Sequence, residues 1–216
     1  RHSNPTGDTY SDENIISIIE AGKAYSEEFL CIFDHAYLLH DFLPSPTQTP
    51  VWELAANLDA EDQIGVFCSF SKVTFGGGGL AFAAAGKKLF DLLSRQRASM
   101  IVCPDKVNQM RHLEFLKDKA GVLEHMEKHA EIVRPKFEVA FKALDVLSPE
   151  IGSYQKPTGG YFISYDAKRP IAKRVIELCK EVGVLITPAG STYPHFHDPL
   201  DSNIRLAPTF LGVEDL

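Results

Sequence analysis

The sequence lacks a block of basic residues and a long apolar run. Lys and Arg never fill five consecutive positions, and the formal net charge of the 216 residues is −7. This pattern argues against a surface for nucleic acid or for an anionic membrane. No apolar run approaches the roughly 18 residues of a membrane span, and no signal peptide is visible. We therefore expect neither nucleic acid nor a membrane among the partners of this protein.

Cysteine is scarce, and no two cysteines form a CxxC pair. The four are Cys31, Cys68, Cys103 and Cys179. Their wide spacing favours reduced thiols in a cytoplasmic protein over a disulfide framework or a zinc site. His195 and His197 have a spacing found in metal sites, but Pro194 and Pro199 indicate a loop, and a solvated loop is the favoured interpretation. No metal is predicted.

An initiating methionine is also missing, and a turn motif, Asn4-Pro5-Thr6-Gly7, follows the first residue closely. We expect the chain to be a portion of a longer protein. With 44% hydrophobic and 24% charged residues, its composition is that of a soluble globular protein with a core.

The first half of the chain alternates helical and strand patterns. Ser11 predicts the start of a helix of about three turns, and residues 80–85 form a further apolar run. Residues 29–33 end at Asp34, and residues 64–67 end at Cys68-Ser69, as is typical of buried parallel strands. The pattern predicts an α/β fold. Since ligands collect at the carboxyl ends of such strands, Asp34 and residues 69–72 are expected at one edge of the sheet.

The second half predicts a different organisation. Residues 105–147 have the periodicity of long helices, with a kink or break at Pro135. After Ser148-Pro149, strands are predicted at residues 161–165, 184–186 and 203–208, with a helix over 171–182. We therefore predict two domains, residues 1–147 and a smaller α+β domain of residues 148–216.

Reactive side chains stand in three short segments. Lys72 in Ser-Phe-Ser-Lys follows a strand, where an amine can serve as a nucleophile, although a surface lysine has the same pattern. Asp34 and Tyr37 can clamp a heteroaromatic ring, but taken alone this segment favours a helix cap and a buried tyrosine. Arg205, in an apolar strand, suits bidentate capture of a carboxylate. An ordinary ion pair with one of the 29 acidic residues is its alternative.

The order of these motifs is more specific than any one of them. NPTG, then D-x-A-Y, then S-x-S-K and a late arginine resemble the fold-type I aminotransferases of classes I and II over nearly the whole chain. Residues 69–85, 156–166 and 187–210 are most similar to the subgroup labelled MocR-type, or aspartate, aminotransferases. The resemblance implies a three-layer α/β PLP-transferase large domain, of which residues 1–147 are the carboxy-terminal part with linking helices, followed by the small domain.

The resemblance also implies pyridoxal 5'-phosphate (PLP) as cofactor. Lys72 would attach the cofactor covalently and act as the general base and acid that moves the substrate proton. Asp34 would pair with the pyridine nitrogen. Tyr37 and Asn4 would donate hydrogen bonds to the phenolate oxygen, and the Asn4–Pro5 bond is expected to be cis.

Substrate and phosphate residues follow from the same resemblance. Ser69 and Ser71 would bind the cofactor phosphate, and Arg205 would bind the α-carboxylate of the substrate. The implied reaction moves an amino group between an amino acid, aspartate or another acidic one, and a 2-oxo acid. A homodimer is implied for the full-length protein. Two alternatives remain open: a PLP-sensing domain of a MocR-type transcription regulator, and a PLP-dependent lyase.

Two departures from the family pattern are visible. Class I enzymes commonly carry a phosphate-binding arginine eight residues after the lysine, where this chain has Leu80 after Gly76–Gly79. The glycine run either forms a backbone anion nest or is a flexible or closely packed turn. The likeness also begins only at the NPTG motif, so the 216 residues alone are expected to be neither stable nor active.

Overall fold

The first helix of the structure, a computed structural model that describes residues 1–216, begins where the sequence predicts it. Helix α1 (Asp12–Tyr25) opens with a capping box: Asn14 N donates to Ser11 Oγ at 3.2 Å, and Ser11 N donates to Asn14 Oδ1 at 3.4 Å. These bonds satisfy backbone groups that the first turn leaves without partners. Ile15 and Ile19, four residues apart, are buried on one face of the helix.

The chain divides into two compact units, and neither is a continuous stretch. We call residues 10–39 and 46–126 the Lys72 unit, and residues 1–9, 40–45 and 127–216 the Arg205 unit. The predicted boundary at residue 148 does not coincide with either unit, because the Arg205 unit takes in the chain from Glu127 onward. The predicted domain boundary at Ser148 therefore stays a prediction. Which domains of a longer protein they represent stays a prediction.

The Lys72 unit contains a mixed sheet of three strands in the order β1 (Cys31–Asp34), β2 (Ile64–Ser69) and β3 (Ala81–Ala85). Strands β1 and β2 are parallel, as predicted, with Asp34 opposite Phe67. Strand β3 is antiparallel to β2. The prediction that β1 is buried is wrong, since Ile32 is 57% exposed. Strands β1 and β3 are both edge strands of this sheet.

Helices complete this unit. They are α1, α2 (Val51–Ala56), α3 (Lys87–Met100), α4 (Lys106–Leu116) and the beginning of α5 (Lys119–Asp145). The core lies between α1, α2 and the start of β2. Its buried members are Ile15, Ile19, Val51, Leu54, Ala55, Ala60 and Ile64. The apolar spacing of the sequence anticipates this face of α1, whereas α3 buries no residue.

The sequence predicts a kink or a break at Pro135; helix α5 runs through this residue, so there is no break, and a kink stays a prediction. Proline removes one backbone donor and leaves the carbonyl of Glu131 without its helical partner. Both residues are exposed, so water is available to that carbonyl. On the opposite face Val133 and Phe137 are buried, the latter completely. Packing on both sides of the proline therefore holds the helix together.

The Arg205 unit has an antiparallel sheet of β4 (Gly152–Tyr154), β5 (Ile163–Ala167) and β6 (Asn203–Leu206). Helix α6 (Ala172–Glu181) lies between β5 and β6 in the chain. The core joins α5 to β5 and to the segment 40–45. Its buried members are Phe42, Ala130, Val133, Phe137, Phe141 and Ile163. None of the helices of the chain combines the length and apolar character that crossing a membrane requires.

The strand predicted at residues 184–186 is absent, which corrects the sequence analysis. Gly183 has a positive φ of 88°, which turns the chain out of α6. Val184 N then donates to Cys179 O at 2.8 Å, a bond that closes the helix end instead of pairing a strand. Leu185 is 82% exposed. The apolar composition that suggested a strand therefore lies on the surface of this unit.

Candidate active site

Two parallel strands of the Lys72 unit present polar side chains where they end. Asp34 ends β1, and Ser69 ends β2 two residues beyond Phe67, the partner of Asp34. His35 N donates to Phe67 O at 2.7 Å, which extends the pairing past the end of β1. The register therefore puts Asp34 and the segment after Ser69 at the carboxyl edge of the sheet, as the sequence predicts.

Asp34 and Tyr37 occupy the turn after β1. The Asp34 Oδ1 atom accepts a hydrogen bond from Ala36 N at 3.1 Å, which shapes this turn. The Asp34 side chain is exposed, and Tyr37 is buried with 9% of its surface accessible. Hydrogen bonds of this kind, from a side chain to the backbone two residues later, are the reason aspartate suits the start of a turn. The bond uses only one of the two carboxylate oxygens.

Lys72 ends a short 3₁₀ turn, Phe70–Lys72, that Ser69 caps. Ser71 N donates to Ser69 Oγ at 3.1 Å, and Ser69 Oγ donates to Ser71 Oγ at 2.9 Å. The two hydroxyl groups are thus neighbours at the strand end. Lys72 itself is exposed, while Val73 behind it is buried. Two neighbouring hydroxyl groups and an exposed lysine follow from the same turn.

Two histidines support the chain immediately after Lys72. His125 Nε2 donates to Val73 O at 2.7 Å, since a carbonyl can only accept. His112 is buried, with Nδ1 at 2.9 Å from Asn108 O and Nε2 at 2.9 Å from Thr74 Oγ1. Helices α4 and α5 thereby fix the turn. Sequence reasoning missed both residues, because a histidine within a helical pattern gives no sign of its distant partner.

A cavity of about 310 Å³ lies beside this support. Its aromatic walls include Phe75, stacked on the His112 ring at 5.9 Å, and Phe115, edge-on to the His125 ring at 5.2 Å. Its lining residues are Thr74, Phe75, Arg111, His112, Phe115 and His125. The cavity thus belongs to the structure that holds the Lys72 turn.

The glycine run packs directly against the Ser69–Lys72 segment at its last member. A Cβ atom on Gly79 would lie 2.3 Å from Ser71 N, so only glycine fits there. Phe70 N donates to Leu80 O at 2.7 Å across the same contact. At Gly76, by contrast, a Cβ would meet open space. Close packing therefore explains Gly79, while an anion nest in the earlier glycines stays a prediction.

Arg205 stands in β6 of the Arg205 unit and donates to two neutral oxygens. Nη1 donates to Asn4 Oδ1 at 2.8 Å, and Nη2 donates to Thr187 Oγ1 at 3.1 Å. The guanidinium carbon lies 4.5 Å from the centre of the Phe162 ring. The hydrogen bonds join predicted site residues Asn4 and Arg205. They do not match the alternative interpretation of Arg205 as an ordinary ion pair.

Asn4 belongs to an amino-terminal loop that is itself anchored. The Asn4–Pro5 peptide bond is cis, as predicted. Asp41 Oδ1 accepts from Arg1 Nη2 at 2.7 Å and lies 3.0 Å from Nε2 of the buried His2. Burial on its own would raise the pKa of Asp41 and is the largest influence, but the bonds from His2 and Ser45 and the charge of Arg1 together lower that pKa.

The loop before β6 is organised by Asp198, which sequence reasoning treated only as part of a histidine-containing loop. Its buried carboxylate accepts hydrogen bonds from the backbone N–H groups of Leu200, Ser202 and Asn203 at 2.8–2.9 Å. Burial alone raises the pKa of Asp198, yet these backbone donors outweigh it and lower the pKa. Asp198 therefore fixes the start of the strand that carries Arg205.

His195 and His197 lie in the same loop. His195 and Phe196 have positive φ angles of 55° and 57°, so the backbone is strained there. No group of three or more histidine, cysteine or acidic side chains is arranged to hold a metal ion.

The donor set of the Lys72 unit fits PLP. A carboxylate suits a protonated ring nitrogen, a primary amine suits the carbonyl carbon, and hydrogen-bond donors suit a phosphate. Asp34 supplies the first, Lys72 the second, and Ser69 with Ser71 the third, all at the edge formed by the carboxyl ends of β1 and β2. The Arg205 unit separately holds a guanidinium and an amide side chain in contact with each other.

Comparison with known proteins agrees with this chemistry. The family profile described as aspartate amino-transferase matches residues 1–216. An aspartate aminotransferase of Corynebacterium glutamicum is 35% identical over 217 residues, which cover 99% of this chain and 50% of that protein. The chain therefore spans about half the length of this relative.

Solved structures give the same result. The crystal structure of an aspartate transaminase from Corynebacterium glutamicum matches with a TM-score of 0.91 and 33% identity, over 99% of this chain and 51% of that one. LysN, an α-aminoadipate aminotransferase from Thermus thermophilus, matches with a TM-score of 0.81 and 25% identity, over 99% and 53%. That structure was solved with N-(5'-phosphopyridoxyl)-L-leucine bound.

Proposed function

We propose, from the premise that this chain belongs to the aspartate amino-transferase family, that it forms part of a PLP-dependent enzyme that transfers amino groups. The enzyme would move an amino group between an amino acid and a 2-oxo acid. When bound, PLP supplies an electron sink for the charge that develops at the amino acid Cα. Side chains of this chain would bind the cofactor and the substrate and would move the proton.

In the Lys72 unit, we propose that Lys72 is the attachment point of the cofactor. When the substrate amine has displaced it, the Lys72 amine would hold and move the proton that leaves Cα. The carboxylate of Asp34 would keep a proton on the ring nitrogen, and the Tyr37 hydroxyl would donate to the phenolate oxygen. The hydroxyl pair of Ser69 and Ser71 would bind the phosphate.

In the Arg205 unit, we propose that Arg205 binds the α-carboxylate of the substrate. Its guanidinium offers parallel N–H bonds that match the two oxygens of a carboxylate. Asn4, already hydrogen-bonded to Arg205 at 2.8 Å, would also donate from its amide nitrogen to the phenolate oxygen of the cofactor.

A single observation carries the proposal best. The parallel register of β1 and β2 sets Asp34 opposite Phe67. Ser69 follows Phe67 by two residues, and Lys72 follows it by five. A carboxylate, two hydroxyl groups and an amine at one sheet edge are what the ring, the phosphate and the aldehyde of PLP each require.

The test uses the full-length protein and two lysine variants. Lys72→Ala is expected to abolish the visible absorbance of covalently held PLP and to slow transamination with aspartate by at least about a hundredfold. Lys87→Ala is the matched control, because the Lys87 side chain is 82% exposed and its salt bridge is to Asp91 on its own helix. Retention of both absorbance and transamination by the Lys72 variant would contradict the proposal.

Finer features are proposed on the same basis. We propose an acidic amino acid, aspartate foremost, as the substrate, a homodimer in the cytoplasm as the working form, and this chain as a portion of a longer polypeptide. Product analysis separates transfer from elimination. A new amino acid formed together with an oxo acid supports transfer, whereas free ammonia without a new amino acid supports a lyase.

A further inference from the structure

Thr187 holds Arg205 from a segment that has no strand partner. Residues 184–188 follow Gly183 without strand pairing, and Val184 and Leu185 are exposed. Thr187 is nevertheless half-buried, and its Oγ1 accepts from Arg205 Nη2 at 3.1 Å. The hydroxyl therefore connects an otherwise surface segment to the guanidinium.

Three contacts together fix the orientation of the Arg205 guanidinium. Asn4 Oδ1 accepts a hydrogen bond from Nη1 at 2.8 Å, and Thr187 Oγ1 accepts one from Nη2 at 3.1 Å. Both ends of the planar group are therefore held. The ring of Phe162, with its centre 4.5 Å from the guanidinium carbon, supports one face. The arginine side chain is long and flexible, so ordering it on ligand binding costs free energy. This cost is smaller when the guanidinium is already oriented before the ligand binds.

The remaining N–H bonds determine how a carboxylate can approach. Each terminal nitrogen carries two N–H groups. One N–H of Nη1 donates to Asn4, and one N–H of Nη2 donates to Thr187. One bond on each terminal nitrogen is left for a ligand. Arg205 Nε is buried and has no hydrogen-bond partner, so a carboxylate from solvent meets the terminal nitrogens instead. The arrangement favours end-on, bidentate binding of a carboxylate.

From this geometry we propose that Thr187 is a positioning residue for carboxylate recognition by Arg205. The inference rests on the proposed function, since it assumes that Arg205 binds the substrate carboxylate. Thr187 acts through Arg205 and has no part in proton transfer at Lys72. Its loss should therefore weaken substrate binding and leave the chemistry of the bound substrate nearly unchanged.

The test compares Thr187→Val with Thr187→Ser in the full-length protein. Valine keeps the shape of threonine and lacks the hydroxyl, whereas serine keeps the hydroxyl. For the Val variant we expect the KM for the amino acid to rise about tenfold, the effect of losing one hydrogen bond to a charged group, with kcat within about twofold. The Ser variant should restore the KM to within about threefold of the original value.

A non-reacting ligand gives a second readout. Inhibition by a carboxylic acid without an amino group should weaken in the Val variant by a factor similar to that in KM, because only carboxylate binding is probed. The visible absorbance of the cofactor should stay unchanged. Thr209→Val serves as the matched control, since Thr209 lies in the same unit and does not hydrogen-bond to Arg205.

The outcomes separate the two proposals. An unchanged KM and inhibition constant in Thr187→Val, alongside a Lys72→Ala variant that loses absorbance and activity, would overturn only the role of Thr187. A fall in kcat with an unchanged KM would also overturn it, because the effect would then lie outside ligand binding. If Lys72→Ala keeps its activity, the proposed function itself fails.

Discussion

His125 Nε2 donates a hydrogen bond of 2.7 Å to the backbone carbonyl of Val73, the residue that follows Lys72. This bond ties helix α5 to the turn that carries the proposed cofactor lysine. Val73 is buried, so its carbonyl has no easy access to water as a substitute partner.

We expect His125→Ala to destabilise the Lys72 turn. Leaving the Val73 carbonyl without a donor should cost about 1–3 kcal/mol of unfolding free energy, and the affinity for PLP should fall. Urea denaturation of the full-length protein and PLP titration would measure both. His125→Gln, whose amide is also a donor, should lose less. Equal losses in the Ala and Gln variants would argue against this hydrogen bond.

A second prediction concerns Gly79. In Gly79→Ala the new Cβ would lie 2.3 Å from Ser71 N, so the Ser69–Lys72 turn must move. Overpacking of this kind costs about 1–3 kcal/mol, and we expect PLP to bind more weakly as well. Gly76→Ala is the control, because a Cβ there meets open space. Comparable PLP affinities in the two variants would show that the close contact does not shape the site.

Asp198 gives a prediction about pH. Its pKa is lowered in the folded state by backbone donors, so its contribution to stability is present above the ordinary aspartate pKa of about 3.9 and is lost as the pH falls through the lower, folded pKa. The difference in unfolding free energy between the original protein and Asp198→Asn should be constant from about pH 5 to 7 and shrink below about pH 4. Denaturant titrations at these pH values measure it. A difference that grows on acidification would contradict the assignment.

The isolated 216-residue polypeptide is predicted to be inactive. Ile32 in β1 is 57% exposed, Phe82 in β3 is 46% exposed and Phe90 in α3 is 53% exposed, so the sheet and its helix present large apolar surfaces. We expect such a polypeptide to aggregate and to lack transamination. Light scattering and an activity assay with aspartate and a 2-oxo acid test this. A monodisperse, active preparation would show that these 216 residues suffice.

Local chemistry explains which features could be predicted from the sequence. The start of α1 after Ser11, the strands that end at Asp34 and Ser69, and their parallel direction depend on residues near in sequence or on strong apolar runs. The cis bond before Pro5 and the identity of the site residues came from the resemblance to a known family. Features of this kind can be predicted without knowledge of the tertiary fold.

Other features depend on distant partners and could not be predicted. His125 contacts Val73, which lies 52 positions away in the sequence. The residues around His125 give no indication of this contact. The continuity of α5 through Pro135 follows from burial of the opposite helix face. Thr187 was identified only as part of a motif, because its bond to Arg205 joins a segment without secondary structure to a strand 18 residues later.

The assignment of Lys72 as the cofactor lysine is the central claim, and borohydride reduction tests it most directly. Reduction of the full-length protein with PLP bound fixes a pyridoxyl group on the lysine to which the cofactor is attached, and peptide mass spectrometry locates it. We predict one modified peptide, containing Lys72, and none in the Lys72→Ala variant. A pyridoxyl group on another lysine of the original protein, or an unmodified Lys72 peptide, would contradict the assignment.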